Sequence, residues 1–127
     1  VPGNLFPVNR IGVENVDQLF SRNERFISIF ETQLGLMAQI MVGAVLVGSM
    51  ETVWLSEITP NKKRTLTVTE YTENIIKLNQ GEEFGRFNMG STVILLFQKE
   101  KISWLPDIKK EHPIEVGQLL ANKIVLA

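Results

Sequence analysis

The sequence contains no cysteine. That excludes a disulfide scaffold, a thiolate nucleophile and a cysteine-bound zinc or iron–sulfur site. It leaves the compartment open, since cysteine-free proteins occur in reducing and oxidising surroundings alike. Histidine is nearly absent too: His112 is the single one. A zinc site with two or three histidines is therefore excluded within this chain, and a histidine general base would be His112 or come from elsewhere. There is no excess of one charge. Thirteen basic residues against 14 acidic ones give a net charge of -1, which gives no support to a nucleic-acid-binding face or an acidic tail. Nor is there an apolar run of membrane-spanning length. Residues 34–50 read LGLMAQIMVGAVLVGSM, 17 residues without a charge, where a spanning helix needs about 20. This run holds Gln39, Ser49, Gly35, Gly43 and Gly48, and no cluster of Lys or Arg flanks it closely. Glycine costs about 1 kcal/mol relative to alanine inside a soluble helix. The run therefore reads as two buried strands joined or bent at Gly43 and Gly48, with a buried helix as the alternative. Peripheral membrane contact needs only a surface patch and stays open. The chain opens on Val1-Pro2-Gly3 with no initiator Met and no signal-like region; this reads as a processed product or as part of something longer.

What is present is enough for a core. The 127 residues, 44% of them hydrophobic and 21% charged, predict one folded domain over 1–127. Residues 1–12 are punctuated by Pro2, Gly3, Pro7 and Gly12, so they read as irregular. Residues 15–20 predict one helical turn, with Asn15 as cap and Val16, Leu19 and Phe20 inward. Strands are expected over 26–30, 37–47, 50–55, 65–69, 75–78, 84–87 and 92–97, with a last short pair at 117–120 and 123–126. Turns are expected at 34–35, 60–63 and 79–82. No window shows a capped helical period. The expectation is an all-β fold: an antiparallel sandwich or barrel-like core of about eight to ten short strands, with at most one or two short helices.

Few residues suggest chemistry. Glu82 and Glu83 are adjacent and would point to opposite faces of a strand. Glu70 and Glu73 read as a solvated edge. No metal-ligand set emerges. Glu51 follows the apolar run; it is either a strand-end charge in solvent or a buried polar group facing a site. His112 precedes Pro113 in a charged segment and reads as a surface-loop residue. Lys62 and Lys63 at a turn tip would suit a biotinyl- or lipoyl-type carrier, but the neighbours such modules place beside their lysine are missing. Residues 85–93, GRFNMGSTV, read on pattern alone as two strands around a Gly-Ser turn. The same residues permit another chemistry. A serine after a glycine can attack the preceding carbonyl if the turn is held in an unusual conformation, because glycine has no Cβ in the way. The resulting ester can eliminate to dehydroalanine and hydrolyse to a pyruvoyl group, an electrophilic electron sink for an amine.

Three blocks in order carry a resemblance. The first is Val1-Pro2-Gly3-Asn4-Leu5-Phe6-Pro7-Val8-Asn9. The second is Leu19-Phe20-Ser21-Arg22-Asn23-Glu24-Arg25, followed by Phe30-Glu31-Thr32 and by Val42-Gly43-Ala44 through Met50-Glu51-Thr52-Val53-Trp54. The third is Lys77 to Phe97, with Gly81-Glu82-Glu83-Phe84-Gly85-Arg86-Phe87 leading into Met89-Gly90-Ser91-Thr92-Val93-Ile94. In this order and spacing the chain resembles the carboxy-terminal part of bacterial-type phosphatidylserine decarboxylase over nearly all of residues 1–121. Members of that family are made as proenzymes that cut themselves between Gly and Ser of a Leu-Gly-Ser-Thr motif. Met89-Gly90-Ser91-Thr92 is similar, with Met for Leu.

The resemblance implies a carboxy-lyase of phospholipid biosynthesis. Self-cleavage would leave a larger piece ending at Gly90, with residues 1–90, and a smaller piece of residues 91–127. Ser91 would become the pyruvoyl cofactor. That group would form a Schiff base with phosphatidylserine and release carbon dioxide to give phosphatidylethanolamine. Phe6, Val8, Phe87 and Thr92 are the candidate substrate-binding residues; the first three read equally as core. The implied partners are phosphatidylserine, the other piece of the same proenzyme and a membrane surface, with no nucleic acid and with a homodimer left open. The implied location is peripheral, on the cytoplasmic face of a bacterial or organellar inner membrane. The family's upstream Asp and His, and its amino-terminal membrane-associating helices, have no counterpart here. Asp17 and Asp107 lie outside any such motif, and His112 is on the far side of Ser91. This chain alone is therefore expected to process itself poorly and to have little or no decarboxylase activity. The competing readings are a catalytically dead β-domain that binds lipid or a protein partner, and the carrier module.

Overall fold

A computed structural model describes residues 1–45, 47, 49–58, 65–90 and 92–124. The described chain is mostly strand, with two short helices. It falls into two compact units, one of Val1–Ser28 with Gln39–Ile94 and one of Ile29–Ala38 with Leu95–Ala127. Among the described residues, seven strands lie in three small sheets: β1 (Arg25–Thr32), β2 (Gly35–Val42) and β5 (Val93–Phe97) in the order β1-β2-β5; β3 (Met50–Thr52) with β4 (Gly85–Phe87); and β6 (Ile102–Trp104) with β7 (Ala121–Lys123). The last two pairs are antiparallel. So are β1 and β2, because a two-residue connection can only reverse the chain. Thr32 shapes that reversal. Its Oγ1 accepts from the Leu34 amide at 3.1 Å and donates to the Gly35 carbonyl at 2.7 Å.

The apolar run of residues 34–50 holds all of β2 and the first residue of β3. Met41, Ala44, Val47 and Met50 make a buried cluster, against which Val8, Phe26, Ile58, Phe84 and Phe87 pack. Trp54 meets Phe84 edge-on at 5.2 Å and Phe26 at 6.5 Å between ring centroids. No helix among the described residues is long and apolar enough to cross a membrane.

The amino-terminal segment is laced to residues 22–25. The Asn4 amide donates to the Arg22 carbonyl and the Glu24 amide to the Asn4 carbonyl, both at 2.8 Å. Asn23, fully buried, locks this pairing with its side chain. Its Oδ1 accepts from the Phe6 amide at 2.9 Å, and its Nδ2 donates to the carbonyls of Phe6 at 2.8 Å and Gly43 at 2.9 Å.

The structure corrects several expected elements. Helix α1 is Arg10–Asn15, capped by Asn9, whose side chain accepts from the Gly12 amide; α2 is Leu19–Arg22. The helical turn expected over 15–20 is thus two pieces, broken where Val16 is extended and Gln18 is left-handed at φ +53°. Leu19 points inward, whereas Phe20 is exposed. Residues 65–69 and 75–78 form no strand; Leu66 and Val68 are exposed. Period-two alternation stabilises a strand only where a neighbour pairs with it. Residues 117–120 form no strand either; β7 pairs instead with β6, a three-residue strand too short to show a period. The strand expected over 50–55 stops at Thr52, where Val53 and Trp54 turn to bring Leu55 back onto Thr52. The turn expected at 60–63 lies outside the described residues.

A candidate self-cleavage site at the β3–β4 pair

The register of β3 on β4 sets the site. Met50 faces Phe87, Glu51 faces Arg86 and Thr52 faces Gly85. Side chains alternate across a strand, so Met50 and Phe87 share the core side while Glu51 and Arg86 share the other. Gly85 is required by contact. A Cβ there would run into the Glu51 carbonyl oxygen and sit 3.1 Å from the Thr52 Cα.

Beyond Phe87 the chain stays attached for one more residue. The Asn88 amide donates to the Ser49 carbonyl at 3.1 Å. The Asn88 side-chain amide donates to Ser49 Oγ and, at 3.4 Å, to Glu51 Oε1. Glu51 also pairs with Arg86 at 3.6 Å, and Arg86 reaches Glu83 at 3.3 Å. Glu51, read as either a solvent-facing strand end or a buried group, is a half-buried partner in this polar ladder. Met89 is exposed. Gly90 has φ +66°, and among the described residues a Cβ added to it would meet Val47 Cγ2, at 3.5 Å. That conformation favours glycine for its backbone, not for lack of space. Ser91 lies outside the described residues, as do Lys62 and Lys63. Thr92 is half-buried, and its carbonyl accepts from the Val42 amide at 2.9 Å. Gly90 therefore follows the tie at Asn88 by two residues and precedes the one at Thr92 by two.

Of the expected pocket walls, Val8 and Phe87 pack on the same buried cluster, the one that also holds Val47. Phe6 is not in that cluster; its half-buried ring carries the Arg22 guanidinium 4.7 Å above its centroid. Glu82 accepts from the Asn79 side chain at 2.8 Å and from its backbone amide at 2.7 Å, closing the turn at 79–82. These two bonds, the side-chain one first, hold its carboxyl below the usual carboxylate range. His112 is exposed in a turn, and Asp17 and Asp107 are exposed. Among the described residues no three His, Asp or Glu side chains gather to hold a metal. Sequence reasoning missed Asn23, Ser49 and Asn88. Ser49 was the one with a signal, as a polar residue closing an apolar run.

A family model described as phosphatidylserine decarboxylase matches residues 1–122. The chain is 47% identical over 122 residues to a phosphatidylserine decarboxylase proenzyme of Saccharophagus degradans, covering 96% of this chain and 43% of that protein. It is 49% identical over 118 residues to the proenzyme of that name in Coxiella burnetii, covering 93% of this chain and 42% of that protein. For the one in Pseudomonas fluorescens the figures are 44% over 124 residues, 96% and 43%. The chain thus spans less than half the length of the curated relatives it matches.

Proposed function

This chain belongs to the phosphatidylserine decarboxylase family, and we propose on that premise that it is a segment of a proenzyme that cleaves itself between Gly90 and Ser91. The supporting observation is the left-handed, unobstructed Gly90 held between the anchors at Asn88 and Thr92. In the first step the Ser91 hydroxyl adds to the Gly90 carbonyl carbon. The Gly90–Ser91 C–N bond breaks, an ester forms, and the nitrogen becomes a free amine. Loss of the Ser91 α-proton then expels the Gly90 carboxylate and leaves dehydroalanine. Hydrolysis releases ammonia and leaves pyruvoyl at the new amino terminus of the smaller piece. The larger piece contains residues 1–90 and the smaller begins at 91.

Gly90 fits the role of the residue that surrenders its carbonyl, since no side chain of its own blocks the approach to that carbon. The pyruvoyl group would supply an electrophilic carbonyl that takes up the amine of phosphatidylserine and accepts the electron pair left as carbon dioxide departs, giving phosphatidylethanolamine. The protein's part is to hold that group and exclude water. Phe87 and Val8 form an apolar wall backed by the Met41 cluster. Thr92, tied to Val42, fixes the chain just after the reacting residue. Phe6 is a further wall, stacked under Arg22. With a phospholipid substrate, the reading extends to a peripheral membrane protein, on the cytoplasmic face of a bacterial or organellar inner membrane.

A serine needs a base to become a nucleophile. The family's upstream Asp and His have no counterpart in these residues, so the chain alone should stay intact while the full-length protein splits. Intact-mass measurement of both tests this. The full-length protein should give two pieces, the smaller carrying the mass of a pyruvoyl in place of serine, and Ser91→Ala should give one. A full-length protein that remains whole would overturn the proposal.

A further inference from the structure

We propose that Asn88 is a positioning residue for self-cleavage, acting by clamping the chain two residues before Gly90 onto Ser49 and Glu51; the inference rests on the cleavage reading above. The β3–β4 pair has one apolar side, Met50 against Phe87, and one polar side, Glu51 against Arg86. Ser49 and Asn88 extend the pairing by one step, through the 3.1 Å bond from the Asn88 amide to the Ser49 carbonyl. They fall on the polar side by alternation. Ser49 is only 3% exposed. The Asn88 side chain reaches two acceptors there, Ser49 Oγ and Glu51 Oε1.

The residue type follows from these partners. The Glu51 carboxylate requires Asn88 to donate, the Ser49 hydroxyl can accept or donate, and a neutral amide has two donor hydrogens on one nitrogen to serve both. An aspartate in its place would offer acceptors only and set a second carboxylate beside that of Glu51. The charged groups facing this position are Glu51 on β3, Arg86 on β4 and, through Arg86, Glu83. None of them needs Asn88 for the core. The Met41, Ala44, Val47 and Met50 cluster lies on the other side of the pair, so removing the Asn88 side chain leaves that packing in place.

The consequence is geometric. Asn88 is the last residue tied to β3, and Thr92 is tied to Val42. Asn88 thus holds the chain two residues before Gly90, which sits at φ +66°. Attack on the Gly90 carbonyl needs that carbon presented close and aligned, and displacements of about 1 Å can cost 100-fold in rate. Freeing Asn88 multiplies the conformers open to Met89 and Gly90 and thins out the one that presents the Gly90 carbonyl.

The test is the first-order rate of splitting in the full-length proenzyme, followed by intact mass after a synchronised start of synthesis. Asn88→Ala should split about 10- to 100-fold more slowly at an unchanged melting temperature. Asn88→Asp should be slow at neutral pH. Its rate relative to the parent protein at each pH should recover as pH falls through the carboxylate range, because the protonated acid donates again. Ser49→Ala should reproduce the slowing, and the double variant should be no slower than the slower single one. Asn88→Ala splitting at the parent rate, a pH-independent ratio for Asn88→Asp, or strictly additive effects would each overturn the inference. These outcomes are distinct from failure of the cleavage reading, in which the parent protein itself remains whole.

Discussion

Replacing Asn23 with alanine should be among the most damaging polar substitutions in the chain. The side chain is fully buried and serves one donor and two acceptors of the backbone. Alanine leaves the Phe6 amide and the carbonyls of Phe6 and Gly43 without that partner. The bond to Gly43 is buried and those to Phe6 are partly so. Leaving a buried group unsatisfied costs about 1–3 kcal/mol. Taking about 2 for the buried contact and about 1 for each of the others gives on the order of 4 kcal/mol. That is roughly a thousandfold fall in the ratio of folded to unfolded protein, and a large share of the usual 5–15 kcal/mol (roughly) of total stability. Urea unfolding of the full-length protein, read through tryptophan fluorescence, measures it; Trp54 sits between Phe26 and Phe84 and reports on this unit. Asn23→Leu separates the causes. It keeps the volume and discards the bonds, so it should cost at least as much as alanine. A loss below about 1 kcal/mol for alanine, or recovery with leucine, would refute the hydrogen-bond account.

Other substitutions probe other links. Gly85→Ala should separate β3 from β4, because its Cβ meets the Glu51 backbone rather than a side chain that can swing away; loss of protection in hydrogen exchange at Val53 and Asn88, whose amides bond across the pair, would reveal it. Met50→Ala removes a nearly fully buried side chain from the central cluster and should cost about 2–5 kcal/mol in the same urea assay. Glu82 has its carboxyl lowered by the Asn79 side chain and then the Asn79 amide. Its folded pKa is therefore below its unfolded one, so its support of the 79–82 turn is complete above the usual carboxylate range and is lost as pH falls through the lowered value. A side-chain NMR titration of Glu82 should show that depression, and Asn79→Ala should reduce it, leaving the part due to the backbone amide.

Sequence reasoning reached the strands that carry dense apolar character. Residues 26–30, 84–87 and 92–97 fall on or against β1, β4 and β5, and Gly43 does mark the end of β2. It failed where pattern and partner part company. Leu66 and Val68 alternate with threonines in the proper period, yet nothing in the local sequence says that no neighbouring strand will come. Ile102 to Trp104 is the reverse case: its pairing with Ala121–Lys123 is a long-range event that three residues cannot announce. At the candidate site, the Gly90-Ser91 pair was legible as chemistry only because its flanking blocks matched a family. Asn88 was not legible at all. An asparagine beside a turn is ordinary, and its value depends on Ser49 and Glu51, some 40 positions earlier.

The strand order β1-β2-β5 bears on what a cut between residues 90 and 91 would leave behind. Strands β1 and β2 would belong to one polypeptide and β5 to the other. The shorter chain would then be a woven member of the sheet from birth, never a subunit that had to find its mate. Its place would be inherited from a time when both were one molecule. Such a pair has no native encounter step, and pieces drawn apart in denaturant would face an association that the intact precursor never had to perform.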